Sequence, residues 1–172
     1  TKDMDLMGGL GKLMPYTAFC FLIGTMAISA LPPFNGFVSE WFTYQSLFTL
    51  SQSDVFVLKL AGPIAIIMLA LTGALAALCF VKVYGISFGG APRSEKAANA
   101  REVPKPMVIA MAVLALCCVL LGVGASVVTP IIAKISTALA HSEPFMLVQN
   151  GVVVAQAEPH TALSTPMVTC LL

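Results

Sequence analysis

Residues 31–48 read LPPFNGFVSEWFTYQSLF: two prolines, a glycine and one carboxylate set into an otherwise apolar run. Proline removes a backbone donor and clashes with the preceding helical turn. Pro32-Pro33 followed by Asn35-Gly36 therefore divides what would otherwise be one long helix. Glu40 is the only charged residue between Lys12 and Asp54. It stands about five residues past the break, hence ~7 Å along the axis.

The surroundings of that stretch decide the class. Of 172 residues 58% are hydrophobic and only 10% charged, and the mean hydropathy is +0.93. Soluble domains carry about 25% charged residues, so the sequence predicts an all-α, polytopic transmembrane bundle. A net charge of +1 points to no acidic partner, and no basic–aromatic pattern points to nucleic acid. The five cysteines lie in apolar surroundings without CxxC or Cys/His spacing and read as small buried hydrophobes; His141 and His160 lie outside the apolar spans. No donor set for haem, an iron–sulfur cluster or zinc is visible, and no cofactor is predicted. Neither a nucleophile elbow, a phosphate loop nor HExxH occurs, so no catalytic residue is assigned and enzyme status stays open.

Charges mark the span limits. None occurs between Lys59 and Lys82, or between Lys105 and Lys134. A spanning helix needs roughly 20 apolar residues. One helix is expected over 60–81 and another over 106–133, with Pro106 near its start and Pro130 near its end. The first apolar stretch splits at the prolines into helices over about 16–31 and 36–50. Both are short for a crossing. They read either as parts of a discontinuous transporter helix or as a tight hairpin turning at the membrane surface.

Basic residues set the expected orientation. Arg93, Lys96, Arg101 and Lys105 cluster after the third span, which places that loop in the cytoplasm and the stretch 136–165 outside. The run at 152–154 is too short to span. The chain starts with Thr1, without a signal segment, and its last residues resemble the opening of a further helix. It is therefore expected to be a piece of a larger protein, dividing into a transmembrane part at 1–134 and an extracytoplasmic loop with a truncated helix at 135–172. The MGGLGKLMP stretch, residues 7–15, reads as a flexible lead-in with Pro15 in the first turn.

Glu40 is the foremost candidate for chemistry, because a charge inside a span is costly and faces a cavity or polar partner. Ser39, Thr43 and Ser46 recur at helical spacing beside it, with Tyr44 one turn beyond, leaving Phe37, Trp41 and Phe48 for the remaining surface. Desolvation raises a carboxylate's pKa from about 4.3, which gives a proton relay access to both protonation states. The competing reading is an interfacial glutamate favoured by the helix dipole. Lys82, in LCFVKVYGISF at 78–88, either belongs to a polar axis or snorkels from a helix end; Lys59 reads as an interfacial anchor. Ala70, Gly73, Ala74 and Ala77 form a small-residue stripe suited to close helix packing.

The wording of residues 7–48 closely resembles the antiporter-like proton-conducting subunits shared by respiratory complex I, Mrp antiporters and membrane-bound hydrogenases. ISALPPFNGFVSEW at 28–41 looks most like the large membrane subunit of the hydrogenase-4 and formate hydrogenlyase branch. ALTGALAALCFVKVYGISFGGAPRSE at 70–95 resembles the helix and loop that follow there. The resemblance covers about 4–132; from Ser136 onward no matching motif is seen.

The resemblance implies inverted repeats of five helices, each with one broken helix carrying ionisable groups at mid-membrane. Glu40 matches the ionisable position of the second broken helix, and Lys82 falls near a basic position on the next. It further implies a bacterial cytoplasmic membrane location, with other membrane and peripheral subunits, lipid and protons as partners. Redox chemistry would be done elsewhere in the complex. A non-conducting membrane anchor and a cation/proton antiporter subunit are the rival readings.

Overall fold

The computed structural model describes residues 4–140, 148–149 and 152–153. The described chain is helical apart from a pair of two-residue strands. A 3-10 turn at Met4–Leu6 precedes α1 (Leu10–Leu13), α2 (Pro15–Ile28), α3 (Asn35–Ser51), α4 (Phe56–Phe88), α5 (Glu95–Ala98), α6 (Lys105–Val123) and α7 (Ala125–Ala140). Strand β1 (Val148–Gln149) pairs antiparallel with β2 (Val152–Val153). Residues 152–153 thus form a strand, and the expected outer loop does not begin at 135, because α7 continues through Ala140; the rest of that loop and the terminal helix lie outside the described residues.

The two short helices on either side of the prolines are present as expected, α2 with 14 residues and α3 with 17. At 1.5 Å per residue they reach about 21 and 26 Å, below the roughly 30 Å hydrocarbon core. Pro15 occupies the first turn of α2, where its missing N–H costs nothing. Past Ser29 the chain turns through Ala30 at φ 51°, and Phe34 N–H donates to Leu31 C=O at 3.1 Å. Asn35 and Gly36 belong to the first turn of α3 rather than to the break, which occupies 30–34.

Two expectations about helix length fail for physical reasons. The expected 60–81 helix is a 33-residue helix, Phe56–Phe88, about 50 Å long. Lysines bound the apolar segment but do not stop a helix; the stop is Gly89-Gly90, with Gly90 at φ 76°. The expected 106–133 helix is two helices, α6 and α7, parted at Gly124. Gly124 N–H still reaches Leu120 C=O at 2.8 Å, but the intervening turn begins a new helix. Pro130 lies inside α7, not near the end of a longer one. Helices α4 and α6 are long and apolar enough to cross a membrane, and between Lys59 and Lys82 α4 carries no charge on any side.

The chain forms two compact units: Thr1–Ser29 with Thr72–Cys118, and Ala30–Leu71 with Val119–Leu172. In the first, Ala18 of α2 and Ala115 of α6 are buried. Phe21 lies 6.4 Å from Tyr84 and 5.3 Å from Phe88, ring centre to ring centre. The 7–15 stretch is not a flexible lead-in. Gly9 N–H donates to Gly89 C=O at 2.8 Å. Gly8 and Gly9 adopt φ values of 152° and 64° and abut Ala91 and Pro92, where a side chain would collide. Ser94 Oγ donates to Leu6 C=O at 2.8 Å and accepts from Ala97 N–H.

In the second unit Phe34, Ala125 and Thr129 are buried. Gly122 of α6 sits against Pro33 and Phe34 of the break, and Gly62 of α4 against Leu47 and Ser51 of α3. The four described cysteines are free thiols; Cys79 and Cys117 are exposed and Cys20 and Cys118 half-buried. They are thus not buried hydrophobes. On the apolar outer faces of α4 and α6 a thiol is simply a small apolar group. The small-residue stripe is likewise largely uncovered, with Ala70 and Ala74 exposed and Gly73 and Ala77 half-buried.

Candidate functional site

Helix α3 begins at Asn35 without a side-chain cap from Phe34. Its hydroxyls turn back on the helix itself. Thr43 Oγ1 donates to Ser39 C=O at 3.0 Å and Ser46 Oγ to Thr43 C=O at 2.8 Å. Such back-bonding satisfies the hydroxyl proton and leaves its oxygen as an acceptor.

The polar residues grouped at sequence level occupy two faces. Asn35, Ser39 and Thr43, at i, i+4 and i+8, line a groove of about 540 Å³ with Val38 and Phe42. Its other wall is Leu121, Ala125, Val128, Thr129 and Ile132, the end of α6 and α7. Thr129 was not singled out from sequence. It is buried, and its hydroxyl donates to Ala125 C=O. Its only sequence signal is its place directly before Pro130.

Glu40 and Tyr44 do not line this groove. They share a helical face with Leu47 and Ser51, at i, i+4, i+7 and i+11, the face that meets Gly62 of α4 near its far end. Both are half-buried, whereas Ser39, Thr43 and Ser46 are exposed. Next to this face, and away from the groove, Phe37 and Trp41 stack at 6.3 Å. Trp41 Nε1 is buried without a hydrogen-bond partner among the described residues.

Lys82 belongs to the other unit. It is exposed and does not end its helix, since α4 runs six residues further to Phe88. Among the described residues no group of three or more His, Cys, Asp or Glu is placed to hold a metal.

A further polar site escaped the sequence reading. Glu102, just before α6, accepts from Tyr16 N–H at Oε2 (3.0 Å), and at Oε1 from Thr17 Oγ1 and from Val103 N–H at 3.2 Å. Helix α2 has no side-chain cap of its own, and Glu102 supplies one from 86 residues away. The Thr17 hydroxyl holds this carboxyl below its ordinary 4.5; partial burial opposes that, and the Val103 and Tyr16 amides reinforce it. No local pattern announces such a cap.

Residues 1–68 match the family described as NADH:quinone oxidoreductase/Mrp antiporter, TM. Over the whole chain the sequence is 50% identical to hydrogenase-4 component B of Escherichia coli. Over 99% of the chain it is 42% identical to formate hydrogenlyase subunit 3 of the same organism. A 39-residue part, 23% of the chain, is 64% identical to NAD(P)H-quinone oxidoreductase chain 5 of Synechocystis, of which it covers 6%. The antiporter-like resemblance is therefore borne out, on the family match over residues 1–68 and the identity to these relatives. The match to hydrogenase-4 component B also runs through the residues after Ser136, where no motif was legible. The chain spans about a quarter of the length of the first two relatives, 25% and 26%.

Proposed function

We propose that this chain is part of a proton-translocating membrane subunit of a multi-subunit oxidoreductase of the hydrogenase-4 or formate hydrogenlyase kind, seated in a bacterial cytoplasmic membrane. The observation that carries the reading is the 50% identity to hydrogenase-4 component B along the full chain. The helix break at 30–34 and the carboxylate beyond it support it, because irregular backbone at membrane depth is tolerated where it lines a cavity or is buried in protein.

In this reading Glu40 is the protonatable group, with Tyr44 beside it on the half-buried face. The groove face of Ser39 and Thr43 supplies hydroxyl oxygens to the same helix, and Pro32, Pro33, Asn35 and Gly36 set its entry. Lys82 is the second ionisable group. The chain through the end of α7 at Ala140 forms the conducting part, and the residues beyond it the extracytoplasmic loop and the start of another helix. The Arg93 to Lys105 loop faces the cytoplasm. Other membrane and peripheral subunits carry the redox chemistry. Moving one charge against 100 mV takes about 2.3 kcal/mol, which that chemistry has to supply.

The deciding experiment replaces Glu40→Gln in the full-length subunit within its complex. Glutamine keeps shape and hydrogen bonding but cannot release a proton. The complex is expected to assemble, as read on native gels, while proton uptake into vesicles falls at least tenfold. Glu40→Asp is expected to retain partial transport. Full transport by an assembled Glu40→Gln complex makes the carboxylate an interfacial cap and leaves the non-conducting anchor as the better reading. The Mrp antiporter in the family description favours one alternative, cation/proton exchange, which a sodium-dependent transport rate would identify.

A further inference from the structure

The segment 89–105 is stitched to the segment before α2 and to the first turn of α2 at three points. These are Gly9 to Gly89, Ser94 to Leu6, and Glu102 to Tyr16 and Thr17. The stitching holds two separate stretches of sequence together as one polar platform, all of it within the first unit. Among the described residues its cations are Lys12 at the end of α1, Arg93, Lys96 on α5, Arg101, and Lys105 at the start of α6; all five are exposed. The anions are fewer. Asp5 and Glu95 are exposed, while Glu102 has both oxygens engaged in the α2 cap. Glu102 keeps its charge in that cap, so the described platform carries five cations against three anions.

Apolar surface begins directly at the platform's edge. Tyr16 is 66% exposed, Phe19 63%, Met107 56% and Ile109 62%. These residues open α2 and α6 and sit within one or two turns of the cations. An amphipathic aromatic ring beside lysine and arginine at a span end is the arrangement of a headgroup boundary. An acidic protein partner would match the cations but would leave Phe19, Met107 and Ile109 unexplained.

We infer that this platform binds anionic phospholipid, its phosphate held by Lys12, Arg93, Lys96, Arg101 and Lys105 and its acyl chains lying along the exposed faces of α2 and α6. The inference rests on the membrane placement of the chain and not on proton transport. Each cation near an anionic surface is worth about 1 kcal/mol, roughly a fivefold change in affinity.

The test uses the full-length subunit in its complex, in nanodiscs of phosphatidylcholine with or without phosphatidylglycerol. The parent is expected to retain phosphatidylglycerol through delipidation and to unfold at a higher temperature when it is present. Arg101→Gln and Lys105→Gln are each expected to reduce retention about fivefold, Lys105→Arg to keep it, and high salt to weaken it in the parent. Removing all five charges should abolish the preference; the single variants decide the matter if that form does not assemble. Equal retention by the parent, Arg101→Gln and Lys105→Gln overturns the inference. So does loss of a peripheral protein subunit with lipid retention unchanged, which would assign the platform to an acidic protein.

Discussion

Gly122→Ala is expected to damage the fold at the helix break. A Cβ built on Gly122 lies 2.6 Å from the Phe34 carbonyl carbon, 2.7 Å from its Cα and closer still to the Pro33 oxygen. These neighbours are backbone, so no side chain can swing aside, and the two segments must part by about 1 Å. Overpacking of this kind costs typically 1–3 kcal/mol, and rigid neighbours place it toward the upper end. Alanine's better helix propensity returns about 1 kcal/mol, leaving a net loss of roughly 1–2 kcal/mol. Gly85→Ala is the matched control, because nothing lies within 4 Å of its added carbon. It should keep only the propensity gain and stabilise by about 0.5–1 kcal/mol. Thermal unfolding of the full-length subunit, with each variant beside the parent, reads both signs. If Gly122→Ala unfolds at or above the parent temperature, as Gly85→Ala should, α6 does not seat on the Pro33–Phe34 backbone and the close approach is refuted.

Ala30→Gly should stabilise by about 1 kcal/mol in the same assay, because Ala30 ends α2 at φ 51°, a conformation that costs an L-residue roughly that much; no change would argue against the left-handed turn. Glu102→Gln should lower the unfolding temperature at neutral pH. The Glu102 carboxyl is held below 4.5 in the fold, so its contribution is present above the unfolded pKa and fades as pH falls below 4.5; the gap between parent and variant should therefore close in acid. A gap that persists unchanged there would mean the charge of the α2 cap is irrelevant. Cys79 and Cys117, exposed on α4 and α6, should react with a membrane-soluble maleimide and resist a charged one, and the reverse pattern would place those faces in water. Lys82→Ala should lower proton transport while Lys82→Arg retains much of it; equal transport by both and the parent would leave this lysine as an interfacial anchor.

What the sequence alone determined were features that follow from local chemistry. Apolar run lengths between charges required membrane helices, and Pro32-Pro33 required a break between α2 and α3, since a missing donor and a ring clash act at the residue itself. Glu40 was conspicuous as the one charge in its stretch. Helix ends were less legible where a charge was taken for a stop: α4 passes through Lys82 to Gly89-Gly90, because a lysine limits the apolar segment without disturbing helical hydrogen bonding. Only tertiary structure decided which polar residues face together. Ser39 and Glu40 are neighbours in sequence, yet a rotation of about 100° per residue sends one to the groove opposite Thr129 and the other to the face that meets α4. The Glu102 cap and the seating of Gly122 on Phe34 join residues more than eighty positions apart. No local pattern encodes such pairings, because the partner becomes available only after both segments have packed.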